Sequence, residues 1–296
     1  MDTYRYEWKE PNRRNTPPLH IAKHGTRYST LTGVYWLDNE YFVVNHRSGL
    51  RVALFSKQHR AGPLLVAEIP HLTDDISAKK IDDQIWEIAV SGCWDCAYSL
   101  FEINVASRSI KILETCASKD HTFCHGVGYD NSGILWMAMH TGKNPRIENI
   151  AGGVWKLPKP WGARDICFDD LHQKAYAVAV NSNPKLTSYG NASISIWEYH
   201  LDEPKRIFFK QKWKKIIEID NAHTDACAVY DGKIWLPDQS NDRVLAVTLT
   251  EDHSTYIINH KDFDFPHGLS ISDEGMVAVS NYGSSDVILF DANNAL

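Results

Sequence analysis

The feature that most constrains how this chain can fold is a unit of short strands that recurs six times. In each copy an opening strand leads into a turn rich in Asp, Asn, Ser or Gly. Two further apolar or alternating runs follow, such as YFVVNH and LRVALF in the first copy. The opening positions lie about 40 to 60 residues apart, a period typical of propeller blades with four strands. They are Thr32, Asp75, His125, Arg164, Asp225 and His267.

The repeat predicts one large all-β domain. Long helical patterns are absent, so a fold of alternating strands and helices does not fit. Six units account for nearly all of the 296 residues, although the length alone would suggest about two domains. The last unit ends at Phe290-Asp291 after three strands, and a strand-like segment, Leu19–Lys23, precedes the first unit. We therefore predict a six-bladed β-propeller with four-stranded blades, closed by this N-terminal strand. Residues 1–15 are expected to be an N-terminal extension, and residues 16–296 the propeller.

Charge and hydropathy narrow the range of partners. The formal net charge of -6 argues against a protein that grips nucleic acid by its phosphates. No run of 18 apolar residues is present, so we expect no membrane-spanning helix. The N-terminal segment is polar and charged and lacks the apolar core of a secretory signal, which favours a cytoplasmic location. The sequence does not specify an oligomeric state.

Polar residues at the ends of the predicted strands indicate a ligand site. The first strand of each blade lines the central channel, and the loop entering it shares one face with the loop leaving the second strand. Polar groups that converge at the mouth of an apolar scaffold predict a small-molecule site. We predict His125, His267 and Asp225 as catalytic residues, because a neutral histidine can act as acid or base near pH 7. The predicted substrate-binding residues are Thr32, His140, Arg164, Asp165, Asn181, His223 and Tyr282.

Several of these positions also have a structural interpretation. Arg164 and Asp165 could pair with each other, and we expect Asp238 and Asn281 to bond backbone groups of the neighbouring blade. The segments Thr141–Ala151 and Asn181–Ala192 are predicted to be long loops, either a lid over the mouth or solvated connections.

The cysteines leave a further set of alternatives open. Cys93 and Cys96 form a C-x-x-C pair near the run His121–His125, which fits isolated reduced thiols, a zinc site or a redox pair. Cys124 is a candidate nucleophile beside a histidine. Cys167 and Cys227 are expected to lie in the core.

Three segments carry a resemblance to known propellers. TDACAVYDGKIWLPDQSNDRV and PHGLSISDEGMVAVSN look like repeats of the NHL or gluconolactonase type. CHGVGYDNSGILWMAMHTG, followed by GGVWKL, resembles the third blade of the regucalcin/gluconolactonase family. As architecture the resemblance covers Tyr28 to Asp291. Related six-bladed propellers include lactonases, strictosidine synthase-like enzymes, arylesterases and binding scaffolds.

The resemblance implies a divalent metal on the channel axis, but the ligand positions match poorly. The family places a Glu in blade 1, an Asn in blades 3 and 4, and an Asp in blade 5. This chain has Thr32, His125, Arg164 and Asp225 at these positions, so only Asp225 matches. We therefore predict no metal ligand and no definite cofactor, and a divalent metal stays an open alternative.

Two functional hypotheses follow. In the first, the chain is a small-molecule enzyme with its site at the channel mouth, either a hydrolase of the lactonase or esterase kind or an acid–base lyase or cyclase. In the second, it is a non-catalytic scaffold that binds a protein or peptide on one face.

Overall fold

A computed structural model of the chain shows six antiparallel sheets of four strands, which confirms the predicted six-bladed β-propeller. The structure describes residues 3–9, 30–47, 49–92, 96–117, 123–141, 145–181, 192–201 and 213–296. The first strands of successive blades pack side by side around the channel, and the first strand of blade 6 packs against that of blade 1. In the described part of the chain, no helix is long and apolar enough to cross a bilayer.

The strands are numbered β1 to β24 in chain order. Blade 1 comprises β2 (Leu31–Trp36), β3 (Tyr41–His46), β4 (Arg51–Ser56) and β5 (Leu65–Glu68). Blade 2 comprises β6 (Thr73–Asp82), β7 (Ile85–Gly92), β8 (Cys96–Asn104) and β9 (Ser109–Ala117). Blade 3 comprises β10 (Phe123–Tyr129), β11 (Leu135–Thr141), β12 (Arg146–Asn149) and β13 (Val154–Trp155).

Blade 4 comprises β14 (Trp161–Asp169), β15 (Lys174–Asn181), β16 (Ser193–His200) and β17 (Lys214–Asp220). Blade 5 comprises β18 (Ala228–Tyr230), β19 (Lys233–Asp238), β20 (Arg243–Thr248) and β21 (Thr255–Asn259). Blade 6 comprises β22 (Pro266–Ile271), β23 (Met276–Asn281), β24 (Asp286–Asp291) and, as its outer strand, β1 (Thr3–Glu7). A short 3-10 helix, Ala292–Asn294, follows β24.

An N-terminal strand closes the ring, as predicted, but it is not the predicted segment. Strand β1 pairs with β24 from Thr3–Phe290 to Glu7–Asp286, so these residues belong to the propeller and not to an extension. The sequence TYRYEW alternates aromatic and charged side chains, which puts Tyr6 and Trp8 on one face. Both pack against blade 1, Tyr6 with Phe42 and Phe55 and Trp8 with Phe55. The segment 19–23 lies outside the described residues.

Blade 3 differs from the prediction in its outer half. Residues 146–149 form the third strand β12, so the segment Thr141–Ala151 is not one long loop. Ile147 explains the difference, because it is fully buried in a core cluster with Trp136 and so holds its segment against the sheet. Of the other predicted loop, 181–192, the structure describes only the two end residues. Cys93 and His121 also lie outside the described residues.

Five of the six opening strands share an irregularity near the channel mouth. The pairing between the first and second strand breaks register in blades 1, 2, 3, 4 and 6. A β-bulge leaves one or two residues unpaired and re-aims their side chains. The unpaired residues are Thr32, Gly33, Asp74, Asp75, His125, Arg164 and His267.

The position at the end of each bulge carries either glycine or aspartate, and both serve contact between blades. A Cβ on Gly126 would overlap Asp165 of blade 4, so only glycine lets the two inner strands approach so closely. Asp75 Oδ2 accepts a hydrogen bond from the Val127 backbone N–H of blade 3, at 3.0 Å. Asp165 Oδ2 accepts one from the Cys227 backbone N–H of blade 5, at 2.7 Å. These carboxyl groups thus hold one blade to the next.

We expect Tyr6→Ala to lower the free energy of unfolding by about 3–5 kcal/mol, the usual cost of truncating a buried aromatic side chain. The ring is 1% exposed, and its hydroxyl donates to the Lys57 carbonyl at 2.6 Å. Urea denaturation measures the loss. Tyr256→Ala, on the exposed face of β21, is the matched control and should change stability little. Equal effects of the two variants would contradict closure by β1.

The pH dependence of stability tests the carboxyl group of Asp165. Burial raises its pKa to about 8. Between pH 4 and pH 8 the folded chain therefore holds a proton that the unfolded chain loses, so this group destabilises the fold as pH rises. Asp165→Asn keeps an acceptor for Cys227 but does not titrate. We expect the free energy of unfolding of the variant, relative to that of the wild type, to rise by up to about 1.4 kcal/mol per pH unit between pH 5 and pH 7. Urea denaturation at each pH measures this difference. A constant difference across this range would show that Asp165 is ionised when buried.

Candidate active site at the channel axis

The bulges bring charged and imidazole side chains from several blades together around Asp74. Asp74 lies on β6 and is 1% exposed. Its carboxylate forms short contacts with the guanidinium of Arg47 and with Nδ1 of His125. His267 Nε2 lies 3.8 Å from Asp74 Oδ1. Blades 1, 2, 3 and 6 therefore meet at one carboxylate.

A second carboxylate, Asp225, collects groups from the other side of the channel. Arg164 Nη1 lies 3.0 Å from Asp225 Oδ1, and His223 Nε2 lies 3.4 Å from the same oxygen. Gln239 Nε2 donates to Asp225 Oδ2 at 2.9 Å, and His267 Nε2 lies 3.3 Å from that oxygen. His267 thus bridges Asp74 and Asp225.

The partners of His125 fix which of its nitrogens carries the proton. Arg164 contacts Nε2 of His125, and a guanidinium can only donate a hydrogen bond. Nε2 is therefore the acceptor, and the ring proton lies on Nδ1, which faces Asp74. The arrangement is a carboxylate, an oriented imidazole and an arginine in sequence.

The two aspartates stay ionised in spite of their burial. Burial alone would raise the pKa of Asp225, but the charge of Arg164 and the nearby histidines holds it well below its usual value. For Asp74 the same opposing effect of burial is overcome by Arg47 and His125, and its pKa is lowered. Two carboxylates and two guanidinium groups thus balance each other inside the channel.

Burial keeps most of the surrounding histidines neutral. It is the main cause that lowers the pKa of His140, His223 and His267. Neutral imidazoles at neutral pH can accept protons, so the site can take a proton from a bound molecule and give it back.

The structure gathers most of the predicted site residues. His125, His267, Asp225, Arg164 and His223 lie in the cluster described above. Two others line it through ring contacts. The His140 ring centre lies 5.5 Å from that of His125, and Tyr282 stacks on His267 at 5.6 Å.

Three predicted substrate-binding residues make other contacts. Thr32 is buried, and its carbonyl accepts from Ser280 of blade 6. Asn181 ends β15, paired with Trp161. Asp165 binds the Cys227 backbone on the next blade, and Arg164 pairs with Asp225, which contradicts the alternative in which Arg164 and Asp165 pair with each other.

The sequence prediction missed three members of the cluster, Asp74, Arg47 and Gln239. Asp74 escapes the prediction because the repeat places Asp75, and not Asp74, at the opening position of blade 2. One residue of register sends a side chain to the opposite face of a strand, and the bulge decides which of the two aspartates reaches the cluster. The sequence signal that could have identified Asp74 is the consecutive pair Asp74-Asp75, since a bulge can direct either side chain to the channel.

Asp238 and Asn281 are structural, as expected. Each bonds the backbone of the segment that leads into its blade, at His223 and Asp262, and also bonds side chains of its own blade. Asp238 Oδ2 accepts from Arg243 Nε and Asn241 Nδ2, both at 2.7 Å. Asn281 Nδ2 donates to Asp286 Oδ1 at 2.7 Å. Asp75 and Asp165 instead accept hydrogen bonds from the backbone of the next blade.

The residues present do not fit the metal site that the family resemblance implies. Of the expected ligands only Asp225 is retained, and the Arg164 guanidinium lies against its carboxylate where a cation would bind. Within the described ranges, no group of three His, Cys, Asp or Glu side chains is arranged to hold a metal ion.

Removing one partner from this charge network should be costly. We expect Asp74→Ala to lower the free energy of unfolding by about 3–5 kcal/mol, because Arg47 and the imidazoles lose their buried counter-charge. Chemical denaturation at pH 7 measures the effect. Asp83→Ala, at an exposed turn, is the control and should leave stability unchanged. A similar small effect in both variants would contradict the charge balance.

Comparison with solved structures finds the same fold in proteins of very different sequence. The PQQ-bound aldose sugar dehydrogenase of Streptomyces coelicolor is 9% identical, with a TM-score of 0.61 and 97% of each chain covered. A luciferin-regenerating enzyme is 8% identical, with a TM-score of 0.63 and coverage of 98% of this chain and 95% of that chain. A streptogramin B lyase is 11% identical, with a TM-score of 0.51 and coverage of 97% and 98%.

No protein-family model and no curated protein matches the sequence. At such low identities the solved structures establish the fold alone, since one fold carries many activities. The resemblance to the regucalcin/gluconolactonase family thus stays a prediction. The chain is a six-bladed β-propeller with structural neighbours of the sugar dehydrogenase, streptogramin lyase and luciferin-regenerating enzyme kind.

Proposed function

We propose that the chain is an enzyme that transfers protons on a small molecule bound at the channel axis, with His125 as the general base. The observation that carries the proposal is the sequence of contacts Asp74–His125–Arg164. Asp74 holds the imidazole in the tautomer whose Nε2 accepts a proton, as the carboxylate does in catalytic triads.

Arg164 supplies the second part of the chemistry. Its Nη1 is shared between His125 Nε2 and Asp225 Oδ1. A substrate oxygen that gains negative charge can take these donors, which frees His125 Nε2 to accept a proton. A guanidinium aimed at a developing oxyanion inside a dry site stabilises the transition state.

The partners of His125 favour proton transfer over a covalent intermediate. Within the described residues, the hydrogen-bond and ion-pair partners of His125 are Asp74, Arg164 and Asp225. The candidate nucleophile Cys124 is fully buried, and its Sγ faces the Gly126 carbonyl at 3.6 Å. We therefore assign His125 to the activation of water or of a carbon acid.

Hydrolysis of an ester or lactone is the reaction class that we place first. His125 takes a proton from water as the water attacks the carbonyl, and Arg164 stabilises the oxyanion. The protonated His125 then returns the proton to the departing alkoxide. A lyase or cyclase uses the same base on a C–H bond beside a carbonyl, with the proton returned to the leaving group.

We expect His125→Gln to lower kcat/KM by 100-fold or more, the usual contribution of a general base. The assay follows acid release from δ-valerolactone, glucono-δ-lactone and phenyl acetate at constant pH. His172→Gln, at an exposed histidine paired with Asp169, is the matched control and should retain full activity.

Two outcomes would contradict this proposal. A folded His125→Gln variant with wild-type rates would remove His125 from the chemistry. A folded wild type that hydrolyses none of the three substrates would contradict the hydrolase assignment and favour the alternative of a non-catalytic scaffold.

A further inference from the structure

The end of the channel opposite the candidate active site holds a separate cavity of about 300 Å³. It is lined by the inner strands of several blades below their bulges and by the turns that follow them. Asp74 and Asp75 are consecutive on β6, yet Asp74 belongs to the histidine cluster while Asp75 lines this cavity. The channel therefore has two chemically distinct ends.

Acidic groups line the cavity. Asp38, Asp170 and Asp273 lie exposed at first-to-second-strand turns, and Asp75 and Asp165 are buried deeper. Among the described lining residues there is no Lys, Arg or His. Such a lining between low-dielectric walls favours a cation over an anion.

One buried oxygen in the cavity wall lacks a hydrogen-bond partner. Asp165 is 4% exposed, and its Oδ2 is bonded to the Cys227 backbone. Its Oδ1 has no hydrogen-bond partner among the described residues. A buried polar atom left unsatisfied costs free energy, so a hydrogen-bond donor that reached Asp165 from the cavity would be stabilised.

The walls of the cavity are aromatic. Tyr35, Tyr129 and Phe168 line it together with Trp36 and Trp86. Aromatic faces attract cations, and a carboxylate next to them adds a counter-charge. The nearby ammonium of Lys79 lies 4.8 Å from the Tyr129 ring centre, but Glu87 neutralises it at 2.7 Å. No described side chain thus neutralises the carboxyl groups inside.

The raised pKa values of the two buried carboxyl groups agree with the lack of a positively charged partner among the described residues. Burial and then the charge of Asp165 raise the pKa of Asp75 well above its usual value. Burial and then Cys167 raise the pKa of Asp165 to about 8. A proton therefore occupies the place that a cation would take.

We propose that this cavity binds a small organic cation, an ammonium ion whose charge is met by Asp165 and Asp75 and whose carbon skeleton packs on the aromatic walls. A metal ion fits less well, because no three described acidic, cysteine or histidine groups have the arrangement to coordinate one. The site is independent of the proposed catalytic function.

Calorimetry with n-butylammonium chloride tests the proposal, with 1-butanol as the neutral probe and sodium chloride as the control for ionic strength. We expect saturable binding of n-butylammonium, at least 10-fold tighter than that of 1-butanol. Binding of both probes with equal affinity, or heat no greater than with sodium chloride, would overturn the proposal.

Variants separate this cavity from other acidic surfaces. Asp165→Asn keeps the bond to Cys227 and should weaken n-butylammonium binding 10-fold or more. Asp273→Asn at the rim should weaken it about 2- to 3-fold. Asp231→Asn changes the corresponding turn aspartate of blade 5, which does not line the cavity, and should bind like the wild type.

Circular dichroism and thermal melting establish whether each variant is folded. If Asp165→Asn does not fold, the rim variant Asp273→Asn supplies the test. His125→Gln should bind n-butylammonium normally, which distinguishes failure here from failure of the proposed catalysis. Undiminished binding in both Asp165→Asn and Asp273→Asn would place the cation elsewhere and overturn the assignment.

Discussion

The structure depends on a β-bulge repeated at the same point of the opening strands. The bulge leaves residues such as His125, Arg164 and His267 outside the ladder, and their side chains meet at the axis. The neighbouring position then has to accommodate the next blade. Gly126 does so by having no side chain, whereas Asp165 does so by bonding the backbone across the gap.

The two ends of the channel differ in how their charges are compensated. At one end the carboxylates of Asp74 and Asp225 are matched by Arg47 and Arg164. Buried ion pairs rarely stabilise a fold more than apolar packing of the same volume would. A gain in stability therefore does not account for such a network. At the other end, no described arginine lines the cavity beside Asp75 and Asp165, and backbone N–H groups are their partners.

The repeat period was enough to predict the fold, because strand and turn signals recur in every blade and need no knowledge of distant contacts. The axial position of His125 and His267 was also predictable, since each is followed by glycine in an opening strand. The role of Asp74 was not predictable, because a bulge is a local shift of register that the alternation of polar and apolar residues does not reveal. The closing strand was missed for a different reason. Its partners Phe42 and Phe55 become neighbours of Tyr6 only when the ring is formed.

The pairing of β1 with β24 has a consequence for how the protein is made. The first strand of the propeller to be made has to wait for β24 before it is paired. Contacts of such large sequence separation form late, because the entropy of closing the loop is lost before the contact is gained. The histidine cluster draws on blades 1 to 6, so it exists only after that final step. The propeller thus keeps an open sheet edge, and its buried charge network stays incomplete, until the last strand of blade 6 has been made.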